Sequence, residues 1–194
     1  MALNHFAAEP SGADDAVGVP GARWFVAIVN PRHEKSVAEK LQPLGVESYV
    51  ATQTELHLWK NGRRKMIDRV VIPSMVFVRC SERQRREIVK LPCILRFMVN
   101  RCADSGSLNK PVASIPDRQI RQLKFMLGHA DTPVEFIPAV FLKNDKVRVV
   151  RGNFRGLEGE VITNSDGTHS LTISLSLLGI AKVTINPADI EKIQ

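Results

Sequence analysis

The chain has 194 residues, of which 44% are hydrophobic, and a net charge of +7, so it can form a packed core of one or two domains. Its apolar runs are all shorter than the roughly 20 residues of a membrane-spanning helix, and Cys80, Cys93 and Cys102 lack the CxxC spacing of a disulfide framework or zinc site. Residues 1–22 lack a signal-peptide pattern, so we expect a disordered leader on a cytoplasmic, monomeric protein that binds no membrane, metal or other cofactor.

Positive charge is concentrated in one segment of the chain. Residues 24–128 contain 19 Lys and Arg against 9 Asp and Glu, whereas residues 140–194 contain 7 against 6. A basic segment indicates a polyanionic partner, and nucleic acid is favoured over a membrane because no basic amphipathic helix with large apolar anchors is visible.

The first half of the basic segment predicts a strand, a helix and a hairpin. Residues 24–29 form an apolar run typical of a buried strand, and Asn30-Pro31 then predicts a helix start. Residues 47–59 and 63–72 are predicted strands, joined at Asn61-Gly62 because both turn positions favour positive φ.

The second half predicts a further strand over residues 74–80 and two helices. Ser81 and Gln84 have the spacing of a capping box, which predicts a helix to about residue 91. A strand is expected over residues 96–100 and a third helix from near Pro116. We predict an α+β domain over residues 23–128, with its helices on one face of an antiparallel sheet.

The pattern changes after a predicted linker over residues 129–139, which contains two prolines. Apolar and polar residues alternate over 146–150 and 171–177, and Asp166-Gly167 marks a hairpin. Several short strands in about fifty-five residues predict a small β-barrel over 140–194.

Residues 147–161 (VRVVRGNFRGLEGEV) resemble a KOW motif, which is the signature of a small SH3-like barrel. Alternating valines indicate a strand, Gly152 and Gly156 permit a tight turn, and Gly159 allows close approach of a neighbouring backbone. The remainder of the barrel, from 175–179 through 183–185 to 189–193, resembles the NusG family.

The upstream segment also resembles the NusG family, as an NGN domain. The resemblance lies in residues 24–26 (WFV), 33–41 (HEKSVAEKL) and 72–78 (IPSMVFV), and residues 31–35 (PRHEK) resemble UpxY-like paralogues. It implies a transcription elongation or antitermination factor of the NusG/RfaH type, with no enzymatic activity. Its N-terminal domain would bind the clamp helices of bacterial RNA polymerase, and its KOW domain would recruit ribosomal protein S10 or Rho.

By this resemblance, Met75, Phe77 and Phe97 would form an apolar groove for the polymerase. The groove requires a sheet face that no helix of the chain covers; otherwise Met75 and Phe77 are ordinary core residues. An open face predicts that Phe77→Asp abolishes polymerase binding without unfolding the domain.

Three basic clusters are candidates for contact with non-template or upstream DNA, although each could instead be a solvated face. They are Arg32, His33 and Lys35 at the start of the first helix; Arg63, Arg64 and Lys65, with Lys60, at the hairpin; and Arg83, Arg86 and Lys90 on the second helix. In the barrel, Leu178 aligns with an apolar family position that contacts a partner, or else it packs within its own loop.

The sequence argues against two other classes of function. An enzyme is disfavoured because the sequence lacks nucleophile, metal-site and phosphate-loop motifs. A ribosome-associated RNA-binding protein would need a strongly basic barrel, and the barrel carries a net charge of only +1.

Overall fold

The structure is a computed structural model that describes residues 21–60, 62–100, 111–138, 145–164, 166–176 and 178–193. The first twenty residues of the predicted leader, Leu177 and Cys102 lie outside these ranges. Within them, no helix is long and apolar enough to cross a membrane, and no group of three or more His, Cys, Asp or Glu side chains could hold a metal ion.

An antiparallel sheet forms the centre of the N-terminal domain. Its strands are β1 (Arg23–Ile28), β2 (Glu47–Tyr49), β5 (Met75–Cys80), β6 (Arg96–Phe97) and β7 (Ser114–Ile115). The strand order is β2-β5-β1-β6, and β7 also pairs with β1. Both central strands are apolar on both faces, as the continuous run over residues 24–29 predicted, because helices cover each side.

The helices lie on both faces of this sheet, so the prediction of helices on one face is wrong. Helices α1 (Glu34–Leu41) and α2 (Glu82–Ile88) pack on the face that carries Phe25 and Val76. Helix α3 (Asp117–His129) packs on the opposite face, against Val26 and Phe77. The sequence predicted this third helix but not the sheet face that receives it.

The helix starts show one error and one confirmed prediction. Helix α1 begins at Glu34 rather than after Asn30, because Arg32 has a left-handed backbone (φ 67°) that interrupts the helical path. Helix α2 has the predicted capping box, in which Ser81 Oγ accepts from Gln84 N and Ser81 N donates to Gln84 Oε1.

Strands β3 (Thr52–Leu58) and β4 (Arg64–Val70) pair with each other as a separate two-stranded ribbon. The turn closes where Trp59 N donates to Arg63 O and Gly62 N donates to Trp59 O, both at 2.9 Å. Gly62 has a φ of 78°, which glycine adopts without the penalty of a Cβ. A hairpin is therefore present at the predicted place, but its turn runs from Trp59 to Gly62, so Gly62 is the last residue of the turn and not a central one as predicted. Asn61 lies outside the described residues.

The C-terminal domain is a six-stranded antiparallel sheet in the order β13-β9-β10-β11-β12-β8. The strands are β8 (Glu135–Pro138), β9 (Asp145–Val149), β10 (Glu158–Thr163), β11 (His169–Leu175), β12 (Gly179–Thr184) and β13 (Ile190–Lys192). The α+β fold followed by a small all-β domain is the predicted fold class. Gly159 lies where a Cβ would come within 2.4 Å of Thr172 O, which is the close approach that the sequence predicted.

The segment expected to be a linker is structured over most of its length. Helix α3 continues to His129, and Glu135–Pro138 forms strand β8 of the second domain. Between them, the buried Gln53 side chain donates to Thr132 O (2.8 Å) and accepts from Val134 N (2.8 Å). The chain is therefore fixed to the first domain immediately before it enters the second.

Candidate functional site

The three residues predicted to form one apolar groove lie on two faces of the sheet. Phe77 pairs with Val26, whereas Phe97 pairs with Ala27, the next residue of β1. Since successive residues of a strand point to opposite faces, Phe97 faces α1 and α2 and Phe77 faces α3. A single groove formed by Met75, Phe77 and Phe97 is therefore wrong.

The expectation of an uncovered face is also wrong for Phe77. Phe77 is completely buried, in the same core cluster as the apolar side of α3, and Phe97 is 4% exposed. The first turn of α3 is held to the sheet by Asp117, whose Oδ1 accepts from Trp24 Nε1 at 2.8 Å. Phe77→Asp would place a carboxylate in this core, so it tests folding rather than polymerase binding.

An apolar strip remains partly exposed at the end of this face. It consists of Ile28, Met75 and Met98, which are all half-buried and pack against the core cluster. Ile28 pairs directly with Met75, and Met98 lies on the other side of β1, where its N–H donates to Val26 O (2.9 Å). Methionine side chains are flexible and polarisable, which suits a surface that adapts to a partner.

The first basic cluster is held by a buried carboxylate that sequence reasoning missed. Glu34 is 3% exposed, and its Oε1 accepts from Ser74 N at 2.7 Å, which joins the start of α1 to the turn before β5. Burial opposes ionisation of Glu34, but N–H groups of Ser74, Glu34 and Arg32 together hold the pKa of the carboxyl below its usual range. Arg32 and His33 remain exposed beside it.

The second basic cluster lies on the β3–β4 ribbon and is adjacent to the first. Lys35 Nζ donates to Asp68 O at 3.1 Å, and Asp68 is on β4, three residues from Lys65. Lys65 pairs with His57 and Arg64 with Leu58, so the two cations project from opposite faces of the ribbon. The structure thus links the first cluster, through Lys35, to the strand that carries Arg64 and Lys65.

In the third cluster, Arg83 and Arg86 lie on α2, which packs on the same face of the sheet as α1. Lys90 lies two residues beyond the helix, because α2 ends at Ile88 rather than near residue 91 as predicted. Arg83, Arg86 and Lys90 are all exposed. Lys90 pairs with Glu87 (2.8 Å) and Arg86 with Glu82 (3.5 Å), so acidic residues of the same helix offset part of this charge.

In the barrel, Leu178 is 4% exposed and belongs to the apolar core. Its N–H donates to Leu175 O at 2.9 Å, which closes the turn between β11 and β12. In this conformation Leu178 therefore packs within its own domain, which is the second of the two interpretations given for it. A partner could reach the side chain only if the turn opened.

The two domains meet along α3. Glu158 of β10 forms ion pairs with Arg118 of α3 and with Arg148 of β9, and its backbone oxygen accepts from Gln122 Nε2 at 2.8 Å. Gln119 Oε1 accepts from Ser176 N at 2.9 Å. Hydrogen bonds from Arg148 and the nearby Arg118 charge hold the pKa of the Glu158 carboxyl below its usual range, which is the behaviour of a structural ion pair.

Comparison with known proteins decides the family. Residues 22–124, more than half of the chain, match the family described as "Transcription termination factor nusG". The chain belongs to the NusG family. No curated protein sequence matches the chain.

Solved structures of NusG-type proteins are also similar to this chain. One comes from work on domain interaction in Thermotoga maritima NusG; it is 16% identical, with 89% of this chain and 98% of that chain covered and a TM-score of 0.44. Another is a chain of the MjSpt4:Spt5 complex, which is 15% identical, with 88% and 96% covered and a TM-score of 0.28. Family membership rests on the match over residues 22–124.

This NusG-family chain is thus a transcription elongation factor, and its candidate binding surfaces lie on the N-terminal domain. These surfaces are the apolar strip at one end of the sheet and the basic residues of α1 and the β3–β4 ribbon. Local patterns identified the basic residues. They did not identify Ile28 or Met98, because the partial exposure of these side chains depends on where α3 lies.

Proposed function

We propose that this protein binds the clamp helices of bacterial RNA polymerase through its N-terminal domain and suppresses pausing or termination. The observation that carries the proposal is the family match, which covers the N-terminal domain from β1 into α3. A factor of this kind needs no catalytic group, since binding to one conformation of the polymerase is sufficient to shift it away from paused states.

The apolar strip of Ile28, Met75 and Met98 is the proposed polymerase contact, in place of the groove first expected. Its side chains are half-exposed, so a partner helix can remove more of their surface from water, at about 25 cal/mol per Å². Phe77, beneath the strip, supports it from the core and does not contact the polymerase.

The basic residues of α1 and the ribbon are proposed to face the non-template strand or the upstream duplex. Arg32, His33, Arg64 and Lys65 are exposed, and the Lys35–Asp68 contact joins the two clusters. Arg83 and Arg86 on α2, with Lys90 just beyond its end, are proposed to provide weaker, non-specific attraction, because neighbouring glutamates offset Arg86 and Lys90.

The barrel is proposed to recruit a second protein, ribosomal protein S10 or Rho, in the cytoplasm. Its net charge of +1 over residues 140–194 favours a protein partner over ribosomal RNA. The closed turn that contains Leu178 is the proposed contact, and Leu178 supports its shape from inside. Attachment to a polymerase-bound domain would raise the local concentration of this partner.

A pull-down with purified bacterial RNA polymerase and the full-length chain tests the polymerase contact. We expect Met75→Asp to weaken retention at least about tenfold while the circular dichroism spectrum stays unchanged, because a carboxylate would be desolvated in an apolar contact. Met75→Leu should retain binding. Phe77→Asp should lose the folded spectrum. Normal retention of Met75→Asp would overturn the proposed strip.

A further inference from the structure

The two faces of the β3–β4 ribbon differ in chemistry. One face carries Leu56, Leu58 and Met66, which are 57–60% exposed. The other face carries His57 and Trp59, whose rings contact each other in an edge-to-face arrangement with centroids 4.5 Å apart. Lys65 pairs with His57 and therefore lies on the aromatic face.

Trp59 is unusual because its large indole lies at the tip of a projecting hairpin. It is 42% exposed, whereas Trp24, the other tryptophan of the chain, is 3% exposed. The contact with His57 and the closing hydrogen bonds of the turn fix the position of Trp59 while leaving much of its surface in water. Exposed and fixed aromatic rings are well suited to stacking, since little side-chain freedom is lost on binding.

The charge around Trp59 is of one sign. Lys60, Arg63, Arg64 and Lys65 are within six residues of Trp59, and no acidic residue occurs between Glu55 and Asp68. Cations next to an exposed aromatic ring attract a phosphate backbone and offer a base a flat surface, which is the combination found in proteins that bind single strands.

We propose that the ribbon tip binds an unpaired stretch of nucleic acid, with one base stacked on Trp59 and the flanking phosphates near Lys60, Arg63 and Lys65. This inference rests on the proposed function, because it names the form of nucleic acid that the basic ribbon contacts. A duplex is excluded as the preferred ligand because its bases are already stacked on one another and cannot accept the indole without being unpaired. DNA and RNA share the required base and phosphate chemistry.

Binding of fluorescein-labelled oligonucleotides to the full-length chain, followed by fluorescence anisotropy, tests the proposal. The probes are oligothymidine and oligouridine of about 12 nucleotides and a DNA duplex of the same length. We expect a single strand to bind more tightly than the duplex, and Trp59→Ala to weaken single-strand binding by about 5- to 100-fold. Comparing the affinities for oligothymidine and oligouridine shows whether the preferred single strand is DNA or RNA.

Two variants separate stacking from folding of the ribbon. Trp59→Phe retains an aromatic ring and should keep most of the affinity, and Leu58→Ala, on the opposite face, should keep all of it. Intrinsic fluorescence gives a second readout, because stacking on Trp59 should quench the wild-type emission on adding oligothymidine. In Trp59→Phe the remaining tryptophan is the buried Trp24, so the quenching should disappear.

The outcomes distinguish this inference from the proposed function. Wild-type affinity of Trp59→Ala for single strands, or tighter binding of the duplex, would overturn the stacking proposal. Loss of polymerase retention in Trp59→Ala, with oligonucleotide binding unchanged, would also overturn it and make the tip a protein contact. Failure of Met75→Asp to affect the polymerase pull-down would contradict the proposed strip and leave the oligonucleotide result valid.

Discussion

At the scale of single residues, Gly159 is a position where the neighbouring backbone leaves no space for a side chain. A Cβ there would be 2.4 Å from Thr172 O and 3.1 Å from Leu171 Cδ1. Because Thr172 is in the adjacent strand, its carbonyl cannot move aside as the end of a flexible side chain can. We expect Gly159→Ala to lower the free energy of unfolding by about 1–3 kcal/mol, measured by urea unfolding with circular dichroism.

The matched control for this prediction is Gly128 in α3, where an added Cβ would meet no atom of the described residues within 4 Å beyond its chain neighbours and the backbone of its own helix. Gly128→Ala should raise the free energy of unfolding by about 0.5–1 kcal/mol, because glycine lowers helix stability. Equal changes in the two variants would contradict the close approach at Gly159.

Gln53 is a second residue whose side chain has a specific structural task. Gln53 is 4% exposed, and its side chain donates to Thr132 O and accepts from Val134 N. It therefore pairs with backbone groups of the segment between α3 and β8, as a neighbouring strand would. Gln53→Leu would leave the buried Val134 N–H unpaired and remove the donor to Thr132 O, and we expect a loss of about 1–3 kcal/mol in unfolding free energy.

Hydrogen exchange locates the effect of this substitution. The Val134 amide should exchange faster in Gln53→Leu than in wild type, since its acceptor is lost. Gln42→Leu, at an exposed position after α1, is the control and should leave Val134 unchanged. Unaltered exchange at Val134 in Gln53→Leu would mean that the side chain does not fix this segment.

At the scale of elements, the start of α1 depends on the ionised form of Glu34. Its folded pKa is lowered, so the stability that its carboxylate provides is present above the unfolded pKa and is lost as pH falls through the folded value. We expect acidification from neutral pH to about pH 3 to destabilise the wild type more than Glu34→Gln, in urea unfolding at each pH.

Glu39→Gln is the control for this pH dependence, because Glu39 lies on the same helix with an exposed side chain. Its response to acid should match that of the wild type. Parallel pH profiles for the wild type and Glu34→Gln would contradict a stabilising role for the carboxylate that joins α1 to the turn before β5.

Sequence patterns predicted those elements whose signals are local. The capping box of α2, the turn at Gly62 and the close approach at Gly159 each depend on residues near in sequence or on one missing side chain. The start of α1 was misplaced because Asn30-Pro31 is a strong local signal, whereas the left-handed Arg32 accompanies a carboxylate bound to Ser74, forty residues away. The packing of α3 over Phe77 is likewise a tertiary contact, which the periodicity of the sequence does not specify.

At the scale of the whole molecule, α3 is shared by both domains. Its apolar side packs on the sheet, and its first two turns present Arg118, Gln119 and Gln122 to the barrel. The ion pair between Arg118 and Glu158 is one of the polar contacts of α3 with the barrel, and its Arg118 side chain is well exposed, at 66%. Exposed ion pairs contribute about 0–1 kcal/mol each and are screened by salt, so we expect the domain contact to be sensitive to ionic strength.

Removal of Glu158 tests this expectation, because its carboxylate pairs with Arg118 across the domain boundary. In Glu158→Ala, the Ser176 amide, which donates to Gln119 Oε1, should exchange up to about fivefold faster. Raising salt to about 1 M should produce the same acceleration in the wild type, since the Debye length falls to about 3 Å. Glu191→Ala, on β13 of the same barrel, should leave Ser176 unchanged. If Ser176 exchanges equally in all three proteins at low and high salt, the ion pair does not hold the barrel against α3.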